Sequence, residues 1–297
     1  MSNTALIVTY NRIEKLKISL KATLALPFEY VVIINNNSSD GTTDWLKSVS
    51  DKRVIVINSS RNIGGAGGFK LGAEYITKNL KTDWIVFYDD DAYPGKDFLN
   101  KFNDLKKNIN DIYCSKVIDA NSEICQMNLP WRKLPETLME NFNYYKNKQD
   151  FCADIDTRCE VITFSFVGCI LHSTVLRKTY ELIVEDLFIY FDDVFYSFQL
   201  KLMGFNIIYE PSLIFQHDID SNNNKPFPAW KVYYLTRNII RSCHILKEEK
   251  LFSIGAIILR IVKYLTLIKG GYNKQLFLRY YFKGIWHGIR NVGGKNH

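Results

Sequence analysis

Four short apolar runs dominate the first third of the chain: TALIVT (Thr4–Thr9), YVVIINN (Tyr30–Asn36), RVIVINSS (Arg53–Ser60) and DWIVFYDDD (Asp83–Asp91). Stretches of helical spacing separate them, as with Ile13, Leu16, Leu20 and Leu24 before Pro27. The runs are continuously apolar rather than alternating. This predicts an α/β fold with a mostly parallel central sheet covered by helices on both faces. Such sheets bind ligands at the carboxyl ends of their strands. Each run ends in a polar cluster: TYNR, NNNSSDG, SSRNIGGAGG and YDDD. Convergence of these clusters on one rim is the first functional expectation.

Further along, DFLNKFNDLKKNI reads as a helix and IYCSKVID as a strand, while residues 121–160 read as an irregular, aromatic loop or insertion. EVITFSFVGCILHSTVLRKTY resumes with a strand and then a helix. FIYFDDVFYSFQLKLMGF reads as an acid pair opening a helix that Gly204 caps, and NIIYEPSLIFQHD as a last strand ending at His217. The remainder reads as mostly helical. The expected division is a catalytic domain over residues 1–222 and a basic helical extension over 223–297.

The acid clusters restrict the chemistry. Carboxylates side by side at a strand end repel and are costly to desolvate. A hard divalent cation relieves both penalties, and alternation along an extended segment lets Asp89 and Asp91 face one ion while Asp90 faces elsewhere. The competing reading is a solvated acidic turn before Pro94. The glycines of NIGGAGGF either admit a phosphate or sugar to the backbone or let a helix pack tightly on a strand. Two phosphate motifs fail here: the GxGxxG pattern meets Lys70, and a P-loop counted from Gly64 meets Phe69. Asp192 and Asp193 at a helix start suit either a cap or an ionised general base. His217, at a strand end beside an acidic rim, suits a metal ligand.

In order, the chain carries TYNR (Thr9–Arg12), NNNSSDGT (Asn35–Thr42), RNIGGAGGF (Arg61–Phe69), YDDDAYP (Tyr88–Pro94), FDDVFYSFQLKLMGF (Phe191–Phe205), EPSLIFQH (Glu210–His217) and YYLTRN (Tyr233–Asn238). With these markers it resembles the inverting, metal-dependent sugar-nucleotide glycosyltransferases of family 2, which have the GT-A fold. The forms NIGGAGGF and DDDA are most similar to bacterial galactofuranosyltransferases, with rhamnosyltransferases close behind. The resemblance implies Mn2+ or Mg2+ held by Asp89, Asp91 and His217 against the donor diphosphate. It implies Asp193 as the base that deprotonates the acceptor hydroxyl, with Asp192 beside it. Thr9, Asn35 and Asn36 would hold base and ribose, and Arg61, Gly64 and Gly65 would lie near the sugar nucleotide. Arg12, Asp90 and Trp131 complete the expected substrate-binding set. The implied donor is UDP-galactofuranose and the implied acceptor a lipid-linked surface polysaccharide; the alternative is dTDP-rhamnose or another UDP-sugar. Two departures stand out. Asn35 and Asn36 replace an acid that usually reads the base, and Phe195 and Gln199 replace a later Asp and Arg.

Charge is unevenly spread. From Lys225 to His297 there are fourteen Lys and Arg against Glu248 and Glu249 alone, whereas the whole chain is only +7. The body is therefore net acidic and the tail strongly basic. No recognised nucleic-acid motif accompanies this charge, so a nucleic-acid partner is not expected. Within the tail, Leu251–Ile268 carries Arg260 and Lys263, too charged for a bilayer span. It reads as an interfacial amphipathic helix, or as a buried helix of a helical subdomain; the one-sided charge favours the first. Six scattered cysteines without a CxxC pattern, and no basic leader before an apolar run, predict reduced thiols and a cytoplasmic protein, peripheral at the inner face of the cell membrane. A third class, a catalytically inactive sugar-nucleotide-binding subunit, shares all of these features. No motif speaks to the oligomeric state.

Overall fold

The structure, a computed structural model, describes residues 1–219, 227–246, 249–270 and 273–297. Its first half alternates β1 (Asn3–Thr9), α1 (Ile13–Leu24), β2 (Tyr30–Asn35), α2 (Thr42–Ser48), β3 (Val54–Asn58), α3 (Gly64–Asn79) and β4 (Trp84–Asp89). There follow β5 (Ala92–Pro94), α4 (Phe98–Asp104), β6 (Ile112–Ile118), α5 (Leu138–Lys146), β7 (Cys159–Val161), β8 (Cys169–His172), α6 (Ser173–Thr179), α7 (Asp192–Leu202) and β9 (Ile207–His217). Three helices end the chain: α8 (Ala229–Ile245), α9 (Ile254–Tyr264) and α10 (Lys274–Ile289). Two expectations are corrected. The stretch 121–160 is not wholly irregular, since Thr137 and Glu140 form a reciprocal capping box that starts α5. The stretch that begins at Cys159 holds two short strands, β7 and β8, rather than one.

The strands make one sheet in the order β3-β2-β1-β4-β8-β6-β9-β5, with β7 paired to β9. The β3-β2-β1-β4 half is parallel, and the other half is mixed. Burial on both faces explains the continuous apolar runs. Leu6 and Val8 of β1 join one core layer with Phe69, Ala73 and Ile76 of α3. Ala5 and Ile7 join the opposite layer with Leu16 and Leu20 of α1. The helix α3 lies so close to β1 that a Cβ on Gly68 would come within 2.5 Å of Val8. Tight packing is thus the role of that glycine and of Gly72, which meets Leu6 in the same way.

The C-terminal helices share a core with the helix that carries the acid pair: Phe195 and Phe198 of α7 pack with Ile239 of α8 and Ala256 and Ile257 of α9. The expected boundary at residues 222 and 223 lies outside the described residues. Leu251–Ile268 is broken into α9, which Ser253 caps, and a 3-10 turn from Leu265 to Gly270. No helix among the described residues is long and apolar enough to cross a membrane. All six cysteines are free.

Candidate active site

Strand register assembles the rim. Thr9 pairs with Asn35, Asn35 with Asn58, and Val8 with Asp89, so three polar strand ends adjoin the start of the acid triplet. The antiparallel β5–β9 pair sets Ala92 opposite His217, one residue from Asp91. His217 is buried; its Nε2 lies 3.4 Å from Asp91 Oδ1, and its Nδ1 lies 3.0 Å from the Asn128 amide oxygen. The Asn128 amide nitrogen in turn donates to Ser165 Oγ at 2.8 Å. Burial opposes charge on His217, but Asp91 outweighs it and lifts the imidazole to about 9. For the same reason Asp91 is held below the usual carboxylate range despite its burial.

Asp90 is the hub of the β1 loop. Its carboxylate accepts from Thr9 Oγ1 at 2.8 Å, from the Tyr10 amide at 3.2 Å and from Arg12 at 3.3 Å. Burial still raises it to about 6. Arg12 also donates to Asp91 at 2.5 Å. Lys231, from α8, reaches the same corner: burial and Arg12 lower its pKa, while Asp91 raises it.

Asp89 differs from its neighbours. Among the described residues it accepts no side-chain hydrogen bond and forms no ion pair, and burial beside Asp91 and Asp90 raises it to about 7. A carboxylate without a donor, next to a second carboxylate and an imidazole, suits a hard cation. Yet among the described residues no three His, Cys, Asp or Glu are arranged so as to hold a metal ion. The guanidinium of Arg12 stands at Asp91, where a cation would bind. The donor chemistry fits Mn2+ or Mg2+, and Arg12 is the group such an ion would displace.

The second part of the site is the start of α7. Phe188, Tyr190 and Phe191 all have positive φ (71°, 65° and 67°), a conformation costly for such side chains. Helix α8 holds this loop. Fully buried Asn238 donates to the carbonyls of Leu187 (3.1 Å), Ile189 (2.8 Å) and Tyr190 (2.9 Å). Buried Arg237 donates to Leu187 (2.6 Å), Asp186 (3.1 Å) and Gly294 (2.5 Å), and Arg241 grips the Asp186 carboxylate with two nitrogens. On the other side Gly64, at φ 77°, leaves no room for a Cβ, which would sit 2.6 Å from the Phe188 ring and collide with its carbonyl.

The acid pair was expected to be ionised by its helix start. Burial opposes that and shifts both acids upward. Asp192, buried and next to Asp193, is raised well above the carboxylate range, and Asp193 to about 6. Asp193 thus remains a carboxylate at neutral pH, and burial makes its neighbour Asp192 hold its proton more tightly than a free carboxyl does. The charge of Asp89 contributes to the shift of Asp192, so the two acid clusters are electrostatically coupled.

Asp193 lines a cleft of about 390 Å³ with Asn128, Trp131, Tyr144, Thr163 and Ser165. Trp131 therefore lies with the expected base, whereas Asn35 and Asn36 face inward. Asn35 is held between Thr43, Asn58 and the Ser38 amide, and Asn36 bridges the Gly64 carbonyl and the Ile63 amide. Arg61 is exposed, and Gly65 has open space where a Cβ would stand. Sequence reasoning missed Asn128 and Lys231, which no motif marks. Arg237 and Asn238 sit inside YYLTRN, a visible signal whose role required the loop they grip.

A mixed sheet, parallel in its β3-β2-β1-β4 half rather than mostly parallel throughout, flanked by helices and followed by a helical C-terminal extension, matches the GT-A class of folds. Residues 4–169 match the family model for glycosyl transferase family 2, and the chain belongs to that family. Over 94 residues it is 36% identical to galactofuranosyltransferase GlfT1 of Mycolicibacterium smegmatis, covering 31% of this chain and 30% of that protein. It is 33% identical over 92 residues to GlfT1 of Mycobacterium tuberculosis, covering 30% of each. The matches thus span under a third of those relatives' length. The fold is shared with mannosyltransferase PcManGT from Pyrobaculum calidifontis, solved with GDP-Man and Mn2+ (TM-score 0.54, 12% identity, 97% of this chain and 87% of that one). It is also shared with GalNAc-T7, solved with UDP, GalNAc and Mn2+ (TM-score 0.56, 11% identity, 98% and 58%). S. aureus TarS 1-349 is similar too (TM-score 0.53, 17% identity, 95% and 72%).

Proposed function

We propose that the chain transfers galactofuranose from UDP-galactofuranose to a hydroxyl of a glycan acceptor, with inversion. The observation that carries this reading is Asp193, a carboxylate at the start of α7 on the wall of a cleft lined by Asn128, Trp131 and Tyr144. The acceptor hydroxyl binds in the cleft and gives its proton to Asp193 as its oxygen forms the new bond to the anomeric carbon. The bond from that carbon to the diphosphate breaks, and UDP leaves with the electron pair. One in-line displacement needs no second carboxylate nucleophile, in contrast to a retaining glycosidase.

Asp89 and Asp91 are the groups that would hold Mn2+ or Mg2+, and His217 would join them only by giving up its proton and its contact with Asp91. When bound, the ion supplies positive charge to the departing diphosphate. Arg12 and Lys231, at the same corner, would face that diphosphate. The open flank at Gly65 suits the close approach of the donor. Support for metal and donor comes from the Mn2+ and nucleotide in the two similar structures and from the partial identity to galactofuranosyltransferases. Nucleoside diphosphate release should be measured with UDP-galactofuranose, dTDP-rhamnose and other UDP-sugars, with Mn2+ or Mg2+ present. Preference for UDP-galactofuranose is expected. Turnover of a different donor only would overturn the sugar assignment, and no turnover of any would overturn the enzyme reading.

A further inference from the structure

We propose that the Asp193 cleft takes an acceptor glycan that carries an acidic group, a phosphate or a carboxylate, seated at Lys148 in front of the buried guanidinium of Arg260. The proposal rests on the glycosyl-transfer reading above and adds to it a chemical class for the acceptor.

Arg260, on α9, is only 5% exposed. Its Nε donates to Asn141 Oδ1 at 2.6 Å, while its Nη2 is buried with no hydrogen-bond partner among the described residues. The guanidinium stacks within 5.3 Å of Trp131, 5.7 Å of Tyr144 and 4.2 Å of Phe252. Aromatic faces offset part of the cost of burying a cation, but buried charges are ordinarily paired with an opposite charge. Among the described residues no carboxylate forms an ion pair with this one. The charges acting on the same corner are further cations. Burial, Lys148 and Arg260 together lower Lys263, whose Nζ sits 3.1 Å from the centre of the Tyr145 ring.

Trp131 and Tyr144 also line the cleft, so Arg260 stands behind its aromatic wall. Of the lining residues only Lys148 and Asp193 are charged. Lys148 is exposed and forms no ion pair among the described residues. The acids of the same segment are engaged with other groups. Glu140 pairs with Lys133, Asp150 accepts from Asn147 Nδ2 at 2.9 Å, and Glu136 lies with Glu140 and Glu249. The cleft therefore offers one cation at its lining and a second, fixed one behind it, and a partly desolvated cleft strengthens both. Asp193 repels an anion placed beside it. An acceptor that presents its hydroxyl to Asp193 and its acidic group to Lys148 satisfies both ends, whereas a neutral acceptor leaves the two cations uncompensated.

The test is calorimetric titration of the full chain with glucose, glucose 6-phosphate, glucuronate and inorganic phosphate, with no donor present. Glucose 6-phosphate or glucuronate should bind about tenfold or more tighter than glucose, and the tighter of the two names the acidic group. Lys148→Ala should abolish that preference and Lys148→Arg should keep it; the side chain is exposed, so both should fold, which circular dichroism checks. Arg260→Met should weaken binding of the acidic sugar severalfold and leave glucose as before. Neither acidic sugar bound tighter than glucose, or a preference that survives Lys148→Ala, would overturn the proposal. So would a preference lost in Lys231→Ala instead, which would place the anion at the Arg12 corner, or inorganic phosphate bound as tightly as the sugar phosphate, which would make the site one for a free ion. Because no donor enters, failure of the transferase reading shows separately, as no nucleotide release with any donor.

Discussion

Asn238→Ala removes three donated hydrogen bonds from one fully buried side chain, to the carbonyls of Leu187, Ile189 and Tyr190, and leaves Arg237 Nε without its 2.8 Å acceptor. Leu187 keeps its bond from Arg237, so the carbonyls of Ile189 and Tyr190 lose the side-chain donor that holds the loop. At about 1 kcal/mol per bond, with more for buried groups left unpaired, the expected cost is about 3 kcal/mol. For a domain of this size, that is a fall in melting temperature of roughly 6–10 °C. The loop has three positive φ angles in four residues, so releasing it lets the backbone relax. Because Asp192 and Asp193 follow directly, turnover should fall at least about tenfold with little change in donor affinity. Thermal unfolding and nucleotide release measured on the same preparation check both halves. A melting shift under about 2 °C would refute the clamp. A large shift with unchanged turnover would refute its link to Asp193.

Gly64→Ala should act on the same loop from the other side, since its Cβ would strike Phe188 at a positive φ; expect a stability loss of about 2 kcal/mol or more by urea unfolding. With Asp193 at about 6 and active only when ionised, turnover under saturating substrate should fall about tenfold per pH unit below 6 and level off above it. A profile flat from pH 5 to 8 would contradict that base. Thr9→Val leaves the buried Asp90 carboxylate short of its 2.8 Å hydroxyl donor and should cost about 1–3 kcal/mol, read by thermal unfolding.

The rim was legible in the sequence because parallel strands put polar residues at their ends wherever a ligand side exists, and TYNR, NNNSSDG and YDDD mark those ends. The proximity of His217 to Asp91 was expected from the motif order, but its cause, the pairing of Ala92 with His217, is a register that no local pattern encodes. The upward shift of the acid pair was missed for a physical reason. A helix start favours a carboxylate, but the core shared by α7, α8 and α9 buries this one, and burial depends on residues far along the chain. The helix α5 was legible and overlooked: Thr137 and Glu140 stand at capping-box spacing within a run dominated by polar and aromatic residues. Asn35 and Asn36 look like ligand-reading amides in sequence, and folding turns both inward to fasten neighbouring loops.

The most direct test of the central claim is Asp193→Asn. The substitution keeps the shape of the side chain and its place at the start of α7 while removing the proton acceptor. Single-turnover release of nucleoside diphosphate from the preferred donor, with acceptor and Mn2+ present, should fall by about a hundredfold or more, with donor binding kept. Release within a few-fold of the unsubstituted chain would contradict Asp193 as the base and, with it, the reaction assigned to this cleft.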